Sequence, residues 1–169
     1  MRPLTFHSAN EESTAALGIA LAAAIPGGTT IALDGPLGAG KTRLVQAIAA
    51  ALGVAPGAAV SPTFVLVQEY HGARRIVHVD AYRMRDEDEF LALGAEEYFN
   101  SDALVLIEWA DRVAGCLPED RLQITIEETG ADSRRFVLTA LGPRGMSILH
   151  ALELRLPETK SAESPPLGR

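Results

Sequence analysis

The sequence predicts an α/β protein with a mixed parallel and antiparallel sheet flanked by helices, and three observations carry that expectation. Residues 29–34 are a run of β-branched and apolar side chains that enters glycines and is followed by a helix-forming stretch, the order of buried strand, tight loop and helix. Residues 64–71 and 75–80 are strand-like runs around His71-Gly72-Ala73, a spacing that suits a hairpin. Residues 122–127 and 136–141 alternate in the manner of a late antiparallel pair.

Taken in order, Ser8-Ala9-Asn10-Glu11 has the S-x-x-E form of a capping box and precedes an Ala/Leu-rich helix over residues 11–25, which Gly27-Gly28 ends. The strand at 29–34 leads through a glycine loop into a second helix from Lys41 to about Leu52, closed by Gly53. After the hairpin, the acidic residues 86–89 open a short helix toward Leu93, and another spans 95–99. Residues 103–107 form a further buried strand with Glu108 at its C-terminal end, and residues 147–156 form a closing helix. No internal repeat is present. From Pro157 the composition shifts to Pro, Ser, Glu and Lys, so residues 1–156 are expected to form one domain and 157–169 a weakly structured tail.

Composition narrows the function classes. With 47% hydrophobic and 22% charged residues the chain has ordinary globular usage, and its apolar runs fall short of the roughly 20 residues a membrane span needs. The N-terminus has neither an apolar h-region nor a small-residue cleavage site, which points to the cytoplasm. The single Cys116 cannot form an internal disulfide and reads as a small buried hydrophobe. A formal net charge of −7 argues against a broad basic surface, so any RNA would be held mainly by something else.

Gly35-Pro36-Leu37-Gly38-Ala39-Gly40-Lys41-Thr42 matches G-x-x-x-x-G-K-[ST] at every required position, between a predicted strand and a predicted helix. Glycines let successive backbone N–H groups turn inward around phosphate oxygens, and the helix N-terminus adds partial positive charge. Lys41 is expected to reach the β- and γ-phosphates and Thr42 to ligate magnesium bridging them, so ATP and Mg2+ are the expected cofactors. A carboxylate at the end of a neighbouring strand should help hold the metal, and Glu108 and Asp80 both qualify. One of them would hold the metal and the other would orient water or act as base. Trp109 reads either as a residue beside the nucleotide or as core. His78 and Tyr82 alternate with Asp80 and could share its face, and His78 reads equally as structural or functional. Arg83, Arg85, Arg134 and Arg135 are candidate phosphate cations, although surface solubility explains most arginines. His7, His71 and His150 form no metal-spaced cluster.

Four segments together resemble the bacterial TsaE (YjeE) family: the loop at 35–42, Ser61-Pro62-Thr63-Phe64, His78-Val79-Asp80-Ala81-Tyr82-Arg83, and Ile107-Glu108-Trp109. The first is shared by a large superfamily; the other three, in this order, are much more specific. The resemblance covers residues 3–156 and implies a P-loop NTPase-like three-layer fold. It also implies an ATPase subunit, weak alone, acting with the TsaD and TsaB proteins in threonylcarbamoylation of adenosine 37 of tRNAs that read codons starting with A. Contact with tRNA would be indirect, through that complex. By resemblance, Lys41 is the phosphate-binding lysine, Thr42 and Glu108 are the magnesium ligands, and Asp80 is a catalytic or metal-linked acid. Thr63 would sit in a switch-type loop that senses the γ-phosphate, the segment from Ser8 to Asn10 would lie near the adenine, and Arg134 near the nucleotide. Ala81 and Pro36 depart from the family's usual leucine and acidic residue, and the tail is extra. Two other readings compete: a small-molecule kinase with Arg83 and Arg85 as lid cations, and a nucleotide-gated binding module with negligible hydrolysis. A GTPase is disfavoured, since no Asn-Lys-x-Asp segment occurs.

Overall fold

The computed structural model describes residues 2–60 and 66–156. The switch-like segment Ser61-Pro62-Thr63-Phe64 and the tail from residue 157 therefore lie outside the described residues. The remaining chain forms one seven-stranded sheet in the order β1-β7-β6-β2-β5-β4-β3. These strands are β1 (Leu4–Ser8), β2 (Thr30–Asp34), β3 (Val67–His71), β4 (Arg75–Asp80), β5 (Leu104–Glu108), β6 (Arg121–Glu128) and β7 (Arg134–Leu141). β2 runs parallel to both β5 and β6, and β4 runs parallel to β5, while β1–β7, β6–β7 and β3–β4 are antiparallel. The sheet is thus mixed, as expected, and its central strands β2 and β5 are apolar over residues 31–33 and 104–107 because both faces are covered there.

One face carries α1 (Glu11–Ala24), α2 (Lys41–Ala51) and α5 (Pro143–Glu153). Their apolar residues Leu17, Leu21, Leu44, Ile48 and Leu149 join Ile31, Leu33, Ile124 and Phe136 of the sheet in one core cluster. α1 and α2 approach closely at Gly18, where a Cβ would fall 2.4 Å from the Ala47 Cβ. The opposite face carries the short helices α3 (Glu87–Ala92) and α4 (Ala95–Phe99) and a 3₁₀ stretch, Ala110–Cys116. Phe90, Val113 and Met84 there pack against Val77, Val79, Val105 and Ile107. Alternate side chains of β4 and β5 go to opposite faces, so one strand supplies both cores.

Several elements differ from the sequence expectation. Strand β1 was not anticipated, and Ser8 is its buried last residue rather than a helix cap. The capping box is formed by Asn10 and Ser13: the Asn10 side chain accepts the Ser13 N–H at 2.9 Å and the Ser13 hydroxyl accepts the Asn10 N–H at 3.0 Å. α1 stops at Ile25, directly before Pro26, whose ring disfavours helical backbone in the preceding residue, so the proline rather than the glycines ends it. α5 begins four residues earlier than expected, with Pro143 in its first turn. Cys116 is only partly buried; burial and the nearby Glu87 and Asp88 raise its thiol pKa.

Candidate functional site

The site lies at the C-terminal edge of the parallel strands, where β2 passes into α2 and the strand order changes direction between β5 and β6. Asp34 ends β2 and ties the loop's entry to its surroundings. Its Oδ1 accepts the Asp111 N–H at 2.9 Å, and its Oδ2 accepts from Gln123 of β6. Burial raises the Asp34 pKa above the usual aspartate value.

The loop then turns through glycines with positive φ: Gly35 at 151°, Gly38 at 82° and Gly40 at 104°. At Gly35 the requirement is also steric, since a Cβ would lie 2.5 Å from the Ile126 carbonyl oxygen. At Gly40 a Cβ would meet nothing within 4 Å, so only the positive φ calls for glycine there. Gly40 caps α2 without any side-chain bond, and the first turn's bonding begins only with the Leu44 N–H donating to the Gly40 carbonyl at 3.0 Å. The amides of Lys41, Thr42 and Arg43 precede that bond and point out of the helix toward the loop's concavity.

Lys41 is 4% exposed. Its ammonium donates to the carbonyls of Gly35 at 2.6 Å and Pro36 at 2.9 Å and lies 3.7 Å from the centre of the Trp109 ring. Burial lowers its pKa from the ordinary lysine value, opposed by the charges of Glu108, Asp80, Asp34 and Asp111. Phosphate oxygens are stronger acceptors for an ammonium than neutral carbonyls, so a polyphosphate in this concavity would compete effectively for Lys41.

The two expected carboxylates end adjacent strands and sit on one rung, with Asp80 of β4 opposite Glu108 of β5. Both are buried. The Thr42 hydroxyl is 2.8 Å from Glu108 Oε1 and 2.9 Å from Oε2, so the loop's hydroxyl and the strand-end carboxylate meet directly. Asp80 Oδ1 accepts the Tyr82 N–H at 2.9 Å, closing a turn immediately after β4. His78 is fully buried two residues before Asp80, and its Nε2 is 2.8 Å from Glu108 Oε1. Tyr82 leaves the strand and packs against Trp109 at a ring separation of 4.8 Å. Trp109 itself has left-handed backbone, φ 57° and ψ 43°, a strain of about 1–3 kcal/mol held in place by these contacts.

Two cavities meet across the loop. A smaller one of about 270 Å³ is lined by Leu37, Lys41, Thr42, Asp80, Glu108 and Trp109 among others. A larger one of about 540 Å³ is lined by Asn10, Thr14, Ala39, Arg134 and Phe136 among others, and Gly38, Gly40 and Arg43 border both. Asn10 and Arg134 thus line one cavity, because β1 pairs with β7 and sets Ser8 opposite Arg134. The Arg134 guanidinium donates to the carbonyls of Ala39 at 3.1 Å, Gly130 and Ala131 at 3.1 Å and Ser133 at 2.9 Å. It clamps the phosphate loop to the β6–β7 turn rather than projecting a free charge.

Gly35 and Pro36 form the floor of the turn and present carbonyls to Lys41, whereas Leu37 at the tip is 77% exposed. Arg85 pairs with Glu89 and Arg135 with Glu127, so both are engaged away from the loop. Thr63 falls outside the described residues. Sequence reasoning missed Tyr70, whose hydroxyl is 3.1 Å from His78 Nδ1, and missed Asp34 as an anchor. Only the period-2 spacing of His78 and Asp80 hinted at the first of these.

The donor set suits magnesium with a polyphosphate. Among the described residues no group of three or more His, Cys, Asp or Glu side chains converges to cage an ion. Magnesium needs no such cage, because it binds through one or two protein oxygens and takes the rest of its shell from water and phosphate. The Thr42 hydroxyl and the Glu108 carboxylate, in contact and both lining the smaller cavity, are oxygens of the kind such a site uses.

A mixed sheet with a glycine loop between β2 and α2, and carboxylates at the ends of the next two strands, defines a P-loop NTPase fold. The model of the family "Threonylcarbamoyl adenosine biosynthesis protein TsaE" matches residues 8–136. The chain belongs to the TsaE family. Relatives named tRNA threonylcarbamoyladenosine biosynthesis protein TsaE include that of Bacillus subtilis, 40% identical over 85% of this chain and 90% of its own. Another, from Treponema pallidum, is 35% identical over 79% of this chain and 97% of its own. The crystal structure of Bacillus subtilis YdiB superposes with a TM-score of 0.79 at 34% identity, covering 91% of this chain and 96% of that one. Among the described residues, no helix is long and apolar enough to cross a membrane.

Proposed function

We propose that this chain binds and hydrolyses ATP with Mg2+ at the loop 35–42, and that its turnover serves threonylcarbamoylation of adenosine 37 in tRNAs reading codons starting with A. The observation that carries the reading is the contact of the Thr42 hydroxyl with both oxygens of the buried Glu108 carboxylate. That contact brings a P-loop hydroxyl and a strand-end acid together where a divalent cation would bridge them. Thr42 and Glu108 are the metal ligands in this reading, Lys41 binds the phosphates, and Asp80 on the adjacent strand orients water. The magnesium ion, when bound, neutralises phosphate charge. The backbone amides of Gly38, Gly40, Lys41 and Thr42 would hold the phosphate oxygens, while the Ala39 N–H donates to the Pro36 carbonyl and Arg134 would keep the loop in register. The larger cavity between Asn10 and Arg134 would take the nucleoside, and Trp109 would cover the Lys41 side.

Partners follow from family membership. The names of the relatives place them in tRNA threonylcarbamoyladenosine biosynthesis, and the proposed partners here are TsaD- and TsaB-type proteins in the cytoplasm. The acidic balance of the chain, −7 overall, fits a subunit that meets tRNA through a complex. The test is ATP turnover by the purified chain, alone and with those partners and tRNA. Turnover is expected to be weak alone, raised by the partners and absent in a folded Lys41→Ala variant. Equal rates with and without partners, together with tRNA modification supported by Lys41→Ala, would overturn the proposal.

A further inference from the structure

Behind the metal-facing carboxylate lies a buried chain of hydrogen bonds for which neither the phosphate loop nor the two acids account. Glu108 Oε1 contacts both the Thr42 hydroxyl at 2.8 Å and His78 Nε2 at 2.8 Å, whereas Oε2 has Thr42 alone at 2.9 Å among the described residues. On its other edge the His78 ring places Nδ1 3.1 Å from the Tyr70 hydroxyl. That hydroxyl lies in turn 2.8 Å from the Val60 carbonyl oxygen and 2.8 Å from Gln68 Oε1. His78 is wholly buried and Tyr70 nearly so, and no buried side-chain polar atom among the described residues lacks a partner. The imidazole is therefore held at both nitrogens between β3 and β5, by two strands that flank its own.

An ionised carboxylate offers only acceptors, so the His78 tautomer that can bond it is the one with Nε2 as donor. A carboxyl group held this way cannot rotate freely about its last torsion. Oε1 is shared between the imidazole and the Thr42 hydroxyl, and Oε2 has the Thr42 hydroxyl alone among the described residues, which leaves it the less engaged of the two oxygens.

We propose that His78 and Tyr70 are positioning residues for the metal ligand: His78 holds the Glu108 carboxylate through Oε1 and leaves Oε2 the oxygen less engaged by protein and available to a metal, and Tyr70 fixes the His78 ring. The inference rests on the reading of Thr42 and Glu108 as metal ligands and adds two residues that never touch nucleotide or metal. Partners one bond behind a ligand typically change metal affinity by roughly 10–100-fold when removed. Binding of nucleotide without metal depends on the loop amides and Lys41, and is not expected to pass through His78.

The experiment is titration calorimetry of the wild-type chain and of His78→Gln, His78→Leu and Tyr70→Phe with a non-hydrolysable ATP analogue, each with and without Mg2+. Thermal unfolding of each variant checks that it folds. Glutamine keeps an N–H donor at about the position of Nε2, whereas leucine keeps bulk alone. His78→Leu is expected to lose roughly tenfold or more of the Mg2+ enhancement while metal-free affinity stays within about twofold. His78→Gln should recover a substantial part of that loss, and Tyr70→Phe should show a smaller loss of the same kind. Should His78→Leu fail to fold, Tyr70→Phe, which removes one oxygen, carries the test with His78→Gln. If the folded variants keep the wild-type Mg2+ enhancement, or lose metal-free and metal-bound affinity equally, the positioning role is refuted. If the wild-type chain itself shows no Mg2+ enhancement, the assignment of Thr42 and Glu108 falls, and this inference with it.

Discussion

Alanine at Gly35 and alanine at Gly40 injure the protein by different routes, although both glycines belong to one loop and both have positive φ. At Gly35 the new Cβ meets the Ile126 carbonyl oxygen at 2.5 Å and the Ala39 Cβ at 3.2 Å, so β6 or the loop must move. Backbone strain of about 1–3 kcal/mol is joined there by an overpacking cost of about 1–3 kcal/mol. The sum, about 2–6 kcal/mol, corresponds to a Tm lowered by roughly 4–24 °C for a chain of this size. At Gly40 nothing lies within 4 Å, so only the strain applies and Tm falls by about 2–12 °C. Gly40, however, is the positive-φ residue from which the loop enters α2, so strain there displaces the amides that would hold phosphate oxygens. ATP with Mg2+ at about 100 times its Kd stabilises a binding-competent chain by about 2.7 kcal/mol, a Tm rise of roughly 5–10 °C. Differential scanning fluorimetry with and without Mg-ATP reads both effects. Gly40→Ala is expected to lose the nucleotide-dependent rise while remaining the more stable of the two variants. A full wild-type rise in Gly40→Ala, or a greater stability loss there than in Gly35→Ala, would refute the reasoning about where the phosphates lie.

Two further outcomes follow from contacts outside the phosphate concavity. Arg134→Lys keeps the charge but loses the fan of bonds to the carbonyls of Ala39, Gly130, Ala131 and Ser133, which a single ammonium cannot reproduce. Nucleotide affinity measured by calorimetry should then fall about tenfold, close to that of Arg134→Ala; a lysine variant that binds normally would show that charge alone is needed. Glu69 accepts two bonds from Arg75, which hold its pKa below the usual 4.5. A carboxyl depressed in the folded state adds stability above its unfolded pKa, and this is lost as pH falls through the folded value. Glu69→Gln should therefore flatten the acid limb of urea-unfolding stability below about pH 4.5, and an unchanged acid limb would count against the pair.

What the sequence made legible was chemistry local in the chain. The phosphate loop needs eight consecutive residues, and β2 and α2 on either side are set by apolar pattern and by Gly53 at the helix end, where φ is +83°. Glu108 and Asp80 could be recognised as strand-end acids, but their common rung depends on β4 pairing with β5 in one register, which no local pattern encodes. The same non-local pairing brings His78 to Glu108. β1 was hidden because its alternating Leu4-Thr5-Phe6-His7-Ser8 is short and its last serine imitated a capping box, which the asparagine two residues later actually forms. Losing β1 also hid the reason Asn10 and Arg134 share a cavity, since β1 lies along β7. The start of α5 was obscured by Gly145, an apparent breaker that is small because a Cβ there would fall 2.7 Å from the Arg121 carbonyl oxygen. The 3₁₀ stretch after Trp109 follows a left-handed non-glycine residue, a conformation held by tertiary contacts and invisible to propensity.

The most direct measurement is calorimetric titration of the full chain with a non-hydrolysable ATP analogue, with and without Mg2+, in wild type and Glu108→Gln. The structure predicts one site per chain whose affinity Mg2+ increases. Losing a charged ligand worth about 1.5–3 kcal/mol should remove roughly 10–100-fold of that increase in Glu108→Gln. Absence of binding heat from folded wild-type protein, or an Mg2+ effect undiminished in Glu108→Gln, would contradict the assignment of the loop and its facing carboxylate as a metal-nucleotide site.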